Sequence, residues 1–441
     1  MKNLKYLFVL FGLLAFTACE DYFGEDSNVD PDNPTTATVN VILPQVQARM
    51  AYVWGGDFTR YLGINTQHVD GVGRQFAVIG QYGIVPSDVD ASWSNLYSGT
   101  MNSNREMINV ARENGFGHYE AIGVAVETYA IMMATDAWGD IPYSDAFKFG
   151  ENGVYAPTYD SQEAVYNAIF ANLDNARALF NGDNGGNAPG GDDLFYGGNI
   201  ANWIAFCNVL EARAHLHLSK VNGSAYSDVL TALNKGGFAD SGAEFAFQYG
   251  PNPNENAPWY QYIEQRDDCE TGSTYVAMMN SLNDPRVATY GFEHAVPGHP
   301  VFTPDRRSPL LTYTEQEFMR AEAMFNTGDM DGAYSAYLAG IASSFAEAGV
   351  AGYDDYVGQA AVGVGASGLS MNDIMTQKYI ALYTSPEVFN DWRRTGLPSL
   401  APVTGSEIPR RLPYSELEQF SNPNTPTPAE ITIYDRVWWD Q

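Results

Sequence analysis

Apolar residues return at steps of three and four along much of this chain, the spacing that lines one face of a helix. Tyr119, Ile122, Val126, Tyr129 and Met133 form one stripe, and Val165, Ile169, Leu173, Ala176 and Phe180 a second. Trp203, Phe206, Leu210 and Ala214 form a third. Thr314 and Glu317 have capping-box spacing and predict a helix through Phe318, Ala321 and Phe325 that stops at Gly328. Asp329 is placed to cap a second helix carrying Ala333, Tyr337 and Ile341. The segment AEAMFNTGDMDGAYSAYLAGI therefore reads as two helices joined by a tight turn, with small residues at the crossing. Similar pairs are predicted at about 100–137, 160–220, 314–347 and from near 371, without a strict sequence repeat. The expected fold is mainly α, a scaffold of tetratricopeptide-like helical pairs.

Between the pairs, residues 54–93, 181–199, 239–275 and 291–312 are rich in Gly, Asn, Asp, Pro and aromatics, and read as long irregular loops. Long loops on a rigid scaffold tend to carry function. Residues 181–193 (NGDNGGNAPGGDD) lack the EF-hand pattern, with no Glu at the twelfth position, so no metal is expected there. Two loops mix aromatics with polar groups: 54–93 and 251–268. They supply the candidate ligand-binding residues Trp54, Gln67, Arg74, Tyr82, Trp93, Trp259, Tyr260, Tyr262 and Arg266, chosen on composition and position. The alternative for each ring is scaffold packing, the reading that suits Trp93 at the helical entry SWSNLY. His68 reads as a hydrogen-bonding loop residue rather than a ligand contact.

Charge narrows the partners. The 441 residues carry 23 Lys and Arg against 53 Asp and Glu, a formal net charge of −30. That excludes nucleic acid as the main partner and a basic patch docked on anionic lipid. The opening MKNLKYLFVLFGLLAFTAC has a positive start and a short apolar run before Ala18 and Cys19, an export signal too short to span a membrane. It resembles a bacterial lipobox, with Phe16 where an aliphatic residue is usual. The resemblance implies cleavage before Cys19 and a lipid attached there. Glu20 and Asp21 resemble the acidic tract that sends Bacteroidetes lipoproteins to the cell surface. The expected organisation is a signal peptide at 1–18, a lipidated tether at 19–36 and a single domain at 37–441.

Catalytic chemistry leaves little trace. There is no H-E-x-x-H, no G-x-S-x-G and no P-loop, and Gly71-Val72-Gly73 lacks the downstream glycine of a dinucleotide fingerprint. His215 and His217 are two apart on a predicted helix and point to different faces. Cys207 sits in an apolar stripe and Cys269 in a loop, and their pairing is left open. Asp136 and Asp140 read as loop caps. No enzyme activity, metal or cofactor is expected.

Longer motifs run in order along the chain: DAWGDIPYSDAF at 136–147, PTYDSQEAVYNAIFANLDNA at 157–176 and DDLFYGGNIANWIAFCNVLEARAHLHLSKV at 192–221. LNDPR at 282–286, QKYIALYTSPEVFNDWRRTGLP at 377–398, IPRRLPYSELEQFSNP at 408–423 and WWD at 438–440 follow. Together they closely resemble the SusD/RagB family of nutrient-binding outer-membrane lipoproteins, nearer to its second, SusD-like branch. Cys207, Glu211 and Glu387-Val388-Phe389 depart from the usual residues, at places that read as scaffold. The resemblance implies a surface lipoprotein that captures a glycan and delivers it, as a lid, to a SusC-like TonB-dependent outer-membrane transporter. Peptide capture by the same lid is the alternative, and a surface glycosidase a remote one. Sugar C–H faces stack on flat rings while hydroxyls need amide, carboxylate and guanidinium partners, which suits the two mixed loops. Trp138, Trp392, Arg393, Arg394, Arg410 and Arg411 belong to the family motifs and read as scaffold. The Arg-Arg pairs are expected to bond Glu387, Asp391 and Glu416, or to form part of the face that meets the barrel.

Overall fold

The computed structural model describes residues 37–148, 153–291 and 302–441. Cys19, the signal segment, the tether and residues 292–301 of the 291–312 loop lie outside the described residues. The longer helices are α1 (Val39–Val53), α2 (Asn102–Asn114), α3 (Gly117–Trp138), α4 (Gln162–Phe180), α5 (Ile200–His217) and α6 (Ala225–Asn234). They continue as α7 (Pro258–Gln265), α8 (Ser273–Ser281), α9 (Tyr313–Thr327), α10 (Met330–Ala348), α11 (Met371–Ala381) and α12 (Glu387–Thr395). Neighbours stack in sequence: α2 on α3, α3 on α4, α4 on α5, α5 on α6, α9 on α10, and α11 against both α9 and α10. The fold is mainly α, as the stripes predict, and every residue of the three stripes is buried. Helix α3 is buried on all sides from Ala121 to Trp138, the signature of a central helix. Among the described residues no helix is long and apolar enough to cross a membrane.

Helix α9 starts two residues earlier than expected. Thr312, not Thr314, is its cap, its side chain accepting from the Glu315 N–H, while Thr314 lies inside the helix and bonds Ser343. The far end is as read: Gly328 adopts φ +91°, and the Asp329 carboxylate accepts from the Gly332 N–H to cap α10. The crossing needs small residues, because a Cβ on Gly340 would come within 2.8 Å of the Phe318 ring.

Two expected loops are corrected. Residues 54–93 fold into a π-helical turn (Trp54–Phe58), short helices at Thr59–Asn65 and Arg74–Ile79, and strand β1 (Val69–Gly71). Residues 239–275 hold β2 (Phe245–Gln248), α7 and β3 (Cys269–Thr271). Strand β1 pairs antiparallel with β3, and β2 with β4 (Arg307–Leu311). These pieces are too short for hydrophobic periodicity to register. Cys207 and Cys269 are both free and buried, and burial pushes each thiol up to about 12, so the pairing left open does not form.

The family motifs prove to be a web of buried charge. His217 of α5 bonds Glu387 of α12 at 2.6 Å and the Tyr166 hydroxyl of α4 at 2.7 Å. Tyr166 donates in turn to Asp136 of α3 at 2.5 Å, as do Asn390 at 3.3 Å and the Trp439 indole at 3.2 Å. Asp136 is therefore a buried network carboxylate and not a loop cap, whereas Asp140 does cap α4 through the Gln162 N–H at 2.8 Å. Arg213 pairs with Glu315 at 2.6 Å and reaches Glu387 at 3.5 Å. Arg394 bonds Glu322 and Asp391, and Lys378 joins Asp391 at 2.7 Å. In LNDPR, Arg286 holds Asp284 at 2.6 Å and reaches Ser344 and Gln377, tying α10 to α11.

Burial alone would discharge His217, but Glu387 and Asp136 outweigh it and push its pKa up to about 9. Its folded value thus lies above the unfolded value of about 6.5, so the stabilisation is complete below about pH 6.5 and is lost as pH rises through 9. The thermal midpoint should fall between those limits, and His217→Gln should flatten that part of the profile. A midpoint that is level from pH 6.5 to 9 in the parent chain would contradict a charged His217.

Candidate functional site

The β1–β3 pairing puts Val69 opposite Thr271, Asp70 opposite Glu270 and Gly71 opposite Cys269, so two segments far apart in sequence share one face. Beneath that face lies Arg60, its guanidinium carbon 4.2 Å from the Tyr262 ring centroid, 5.8 Å from Trp259 and 6.0 Å from Phe76. Asp57, one turn back, takes its charge. Phe76 stacks on Tyr61 at 5.8 Å and meets the edge of Tyr262 at 5.4 Å. Trp259 meets Tyr262 at 6.1 Å and Phe302 at 5.7 Å. The result is an aromatic box closed on a cation.

Above the box, the buried Asp268 carboxylate receives Arg74 Nη1 at 2.6 Å and Arg266 Nε at 3.0 Å. Arg74 also donates to the Arg266 carbonyl, and Arg266 Nη2 to Gln75 Oε1 at 2.8 Å. One carboxylate thus anchors two guanidiniums. The side chains of Arg74 and Arg266 are 59% and 38% exposed. Gly73 makes room, since a Cβ there would sit 2.7 Å from Asp268 Oδ1. Backbone strain gathers here: Gln67, Arg74, Tyr82 and Asp267 all hold φ between 42° and 61° without being glycine.

Four of the nine candidates keep surface on this side or beside it: Arg74 is exposed, and Tyr260, Tyr262 and Arg266 are half-buried. Arg74 and Arg266 come together on Asp268, while Tyr262 packs into the aromatic box. The other five are no more than 5% exposed and are corrected to packing roles. Trp54 lies in the core against Tyr129, with Arg213 over its ring. Trp93 stacks on Tyr97 and meets Trp138 edge-on. Trp259 floors the aromatic box. Gln67 donates to the Ala401 carbonyl at 2.6 Å and accepts from Thr274, and Tyr82 Oη accepts from the Val403 N–H at 3.0 Å. The last two are latches for the 400–403 turn. His68 is a core histidine, bonded to the Tyr379 carbonyl and discharged by burial, with a pKa near 3. Arg60, Asp57 and Asp268 were not among the candidates; the i,i+3 spacing of Asp57 and Arg60, and the doubled acid in RDDC, were the signals available.

The arrangement offers flat ring, guanidinium and amide contacts on pre-set backbone. Cys269, behind Tyr262, is held as a neutral thiol, which is poorly suited to nucleophilic work. Among the described residues no group of three His, Cys, Asp or Glu side chains is placed to hold a metal ion.

A family model described as starch-binding associating with outer membrane matches residues 32–299 and 299–415. A SusD/RagB family protein from Bacteroides thetaiotaomicron is similar over 92% of this chain and 99% of its own, at TM-score 0.75 and 21% identity. A chitin-binding SusD homologue from Flavobacterium johnsoniae is similar over 91% of this chain and 98% of its own, at TM-score 0.74 and 21% identity. A Bacteroidetes SusD-like structure reaches TM-score 0.77 over 92% of this chain and 100% of its own, at 21% identity. No curated protein matches the chain.

The burial pattern separates the two neighbours on α7. Trp259→Ala should cost about 3–5 kcal/mol by opening the box, whereas Tyr260→Ala should stay within about 1 kcal/mol. Denaturant unfolding of both variants checks this, and equal losses would remove the distinction between floor and surface.

Proposed function

Because this chain belongs to the SusD-like family of outer-membrane-associating, starch-binding proteins, we propose that it captures a glycan at the cell surface and delivers it, as a lid, to a SusC-like TonB-dependent transporter. The observation that carries the reading is the pair Arg74 and Arg266, two partly exposed guanidiniums anchored on the single buried carboxylate of Asp268. Fixed guanidinium donors of this kind suit sugar hydroxyls, and the half-buried Tyr260 of the same segment offers a ring for C–H groups. The strained backbone and shared carboxylate hold the two arginines in place before the ligand arrives, which lowers the entropy lost on binding. The chitin-binding relative favours sugar over peptide. The binding domain is assigned to residues 37–441, with residues 1–18 as export signal and Cys19 as lipid anchor at the head of the 19–36 tether. This is a binding role without turnover.

Native affinity electrophoresis of residues 20–441 across neutral, acidic and amino-sugar polysaccharides tests the capture step, with a protein digest run alongside. Retardation by a polysaccharide is expected, and Arg74→Ala with Arg266→Ala should abolish it. Capture of peptides with no sugar retarded would move the role to the peptide alternative. For the anchor, Cys19→Ala should shift the full-length chain from the membrane fraction to the soluble one, and retention in the membrane would overturn that assignment.

A further inference from the structure

A second corner of the molecule concentrates positive charge. Lys220, Arg410 and Arg436 converge on a single carboxylate, Asp440, at 3.0, 2.9 and 3.3 Å. Asp440 is fully buried, while the Arg410 and Arg436 side chains are 19% and 46% exposed. Arg410 and Arg436 each give Asp440 one nitrogen, and a guanidinium has further N–H groups to offer a second acceptor. Both arginines face Asp440 through Nη1, and the Arg410 guanidinium carbon lies over the Trp392 ring, 4.6 Å from its centroid.

Beside them opens a cleft of about 410 Å³, bounded by Trp392, Tyr434, Ser406, Arg410 and Arg436, with Glu407 at the exposed rim. Its size falls in the range of small-ligand sites. Tyr434 is 40% exposed and offers a ring face, Ser406 a hydroxyl, and the guanidiniums a fork that matches a carboxylate. The Leu400–Pro402 wall is the turn latched by Gln67 and Tyr82, so the cleft is mechanically continuous with the segment that carries Arg74.

We propose that this cleft is a second subsite, for a sugar unit that bears a carboxylate. Arg436 and Arg410 hold the carboxylate, Tyr434 covers the ring, and Glu407 disfavours sugars carrying charge on the side facing the rim. The inference rests on the reading of the chain as a glycan binder and names an acidic glycan as one that it takes.

Isothermal titration of residues 20–441 with tri-galacturonate, and with a neutral trisaccharide of the same length, tests it. Tri-galacturonate should bind, weaken as salt rises from about 20 to about 500 mM, and bind about tenfold more weakly to Arg436→Gln. Tyr434→Ala should weaken it as well. Arg436 is largely exposed, so its variant should melt with the parent chain; a lowered melting point with unchanged affinity would reduce the cluster to a clamp on Asp440 and overturn the subsite. Equal binding of tri-galacturonate to the parent and Arg436→Gln, or full competition by the neutral sugar, would also overturn it. Retardation by neutral polysaccharides with no acidic sugar bound would sink this inference alone and leave glycan capture standing. No binding of any sugar would sink both.

Discussion

A charged histidine in a dry interior holds this structure together. His217 has no exposed surface, yet Glu387 and Asp136 keep it protonated, and the three belong to three different helices. Burying such a group unpaired costs several kcal/mol, so α3, α5 and α12 are stable only in the arrangement that brings both carboxylates to it. Tyr166 adds α4, and Trp439 donates its indole N–H to the same Asp136 carboxylate. Apolar stripes alone would let these helices slide or rotate with little penalty. The polar web fixes their register, and with it the position of everything mounted on them.

The site is built on the opposite principle. Its elements are short, its strands three residues long, and several backbone angles are ones that side chains disfavour. Ion pairs anchored on Asp268 and an arginine closed in an aromatic box hold it together. Such a surface is specified by a few strong contacts rather than by broad packing. Sequence there can change with ligand while the helical framework stays constant.

What could be read from the chain follows the same line. Helices with several turns announce themselves through stripes such as Val165 to Phe180, and Gly328 with Asp329 marks a junction by local chemistry alone. Even so, the cap of α9 fell on Thr312, because Thr314 found a partner on the next helix instead. The Arg-Arg pairs were legible as internal ion pairs, and Arg394 does meet Asp391. Its second partner, Glu322, lies 72 residues away, and Arg410 goes to Asp440 rather than to Glu416. The site resisted reading for a related reason. Whether Trp54, Trp93 or Trp259 points in or out depends on a pitch set by neighbours distant in sequence, and Arg74 meets Asp268 across 194 residues. Composition located the two segments but not the direction of their rings.

The indole of Trp439 bonds a carboxylate 303 residues earlier in the chain. Such a contact ranks among the slowest to form, since loop closure must precede any gain from it. Neighbouring helices such as α2 and α3, or α9 and α10, pair through local contacts, whereas the pocket around His217 is closed only when Trp439, at the far end of the chain, docks on it. A chain interrupted before that closure would hold native-looking hairpins around an unsatisfied charge, a species prone to misassembly.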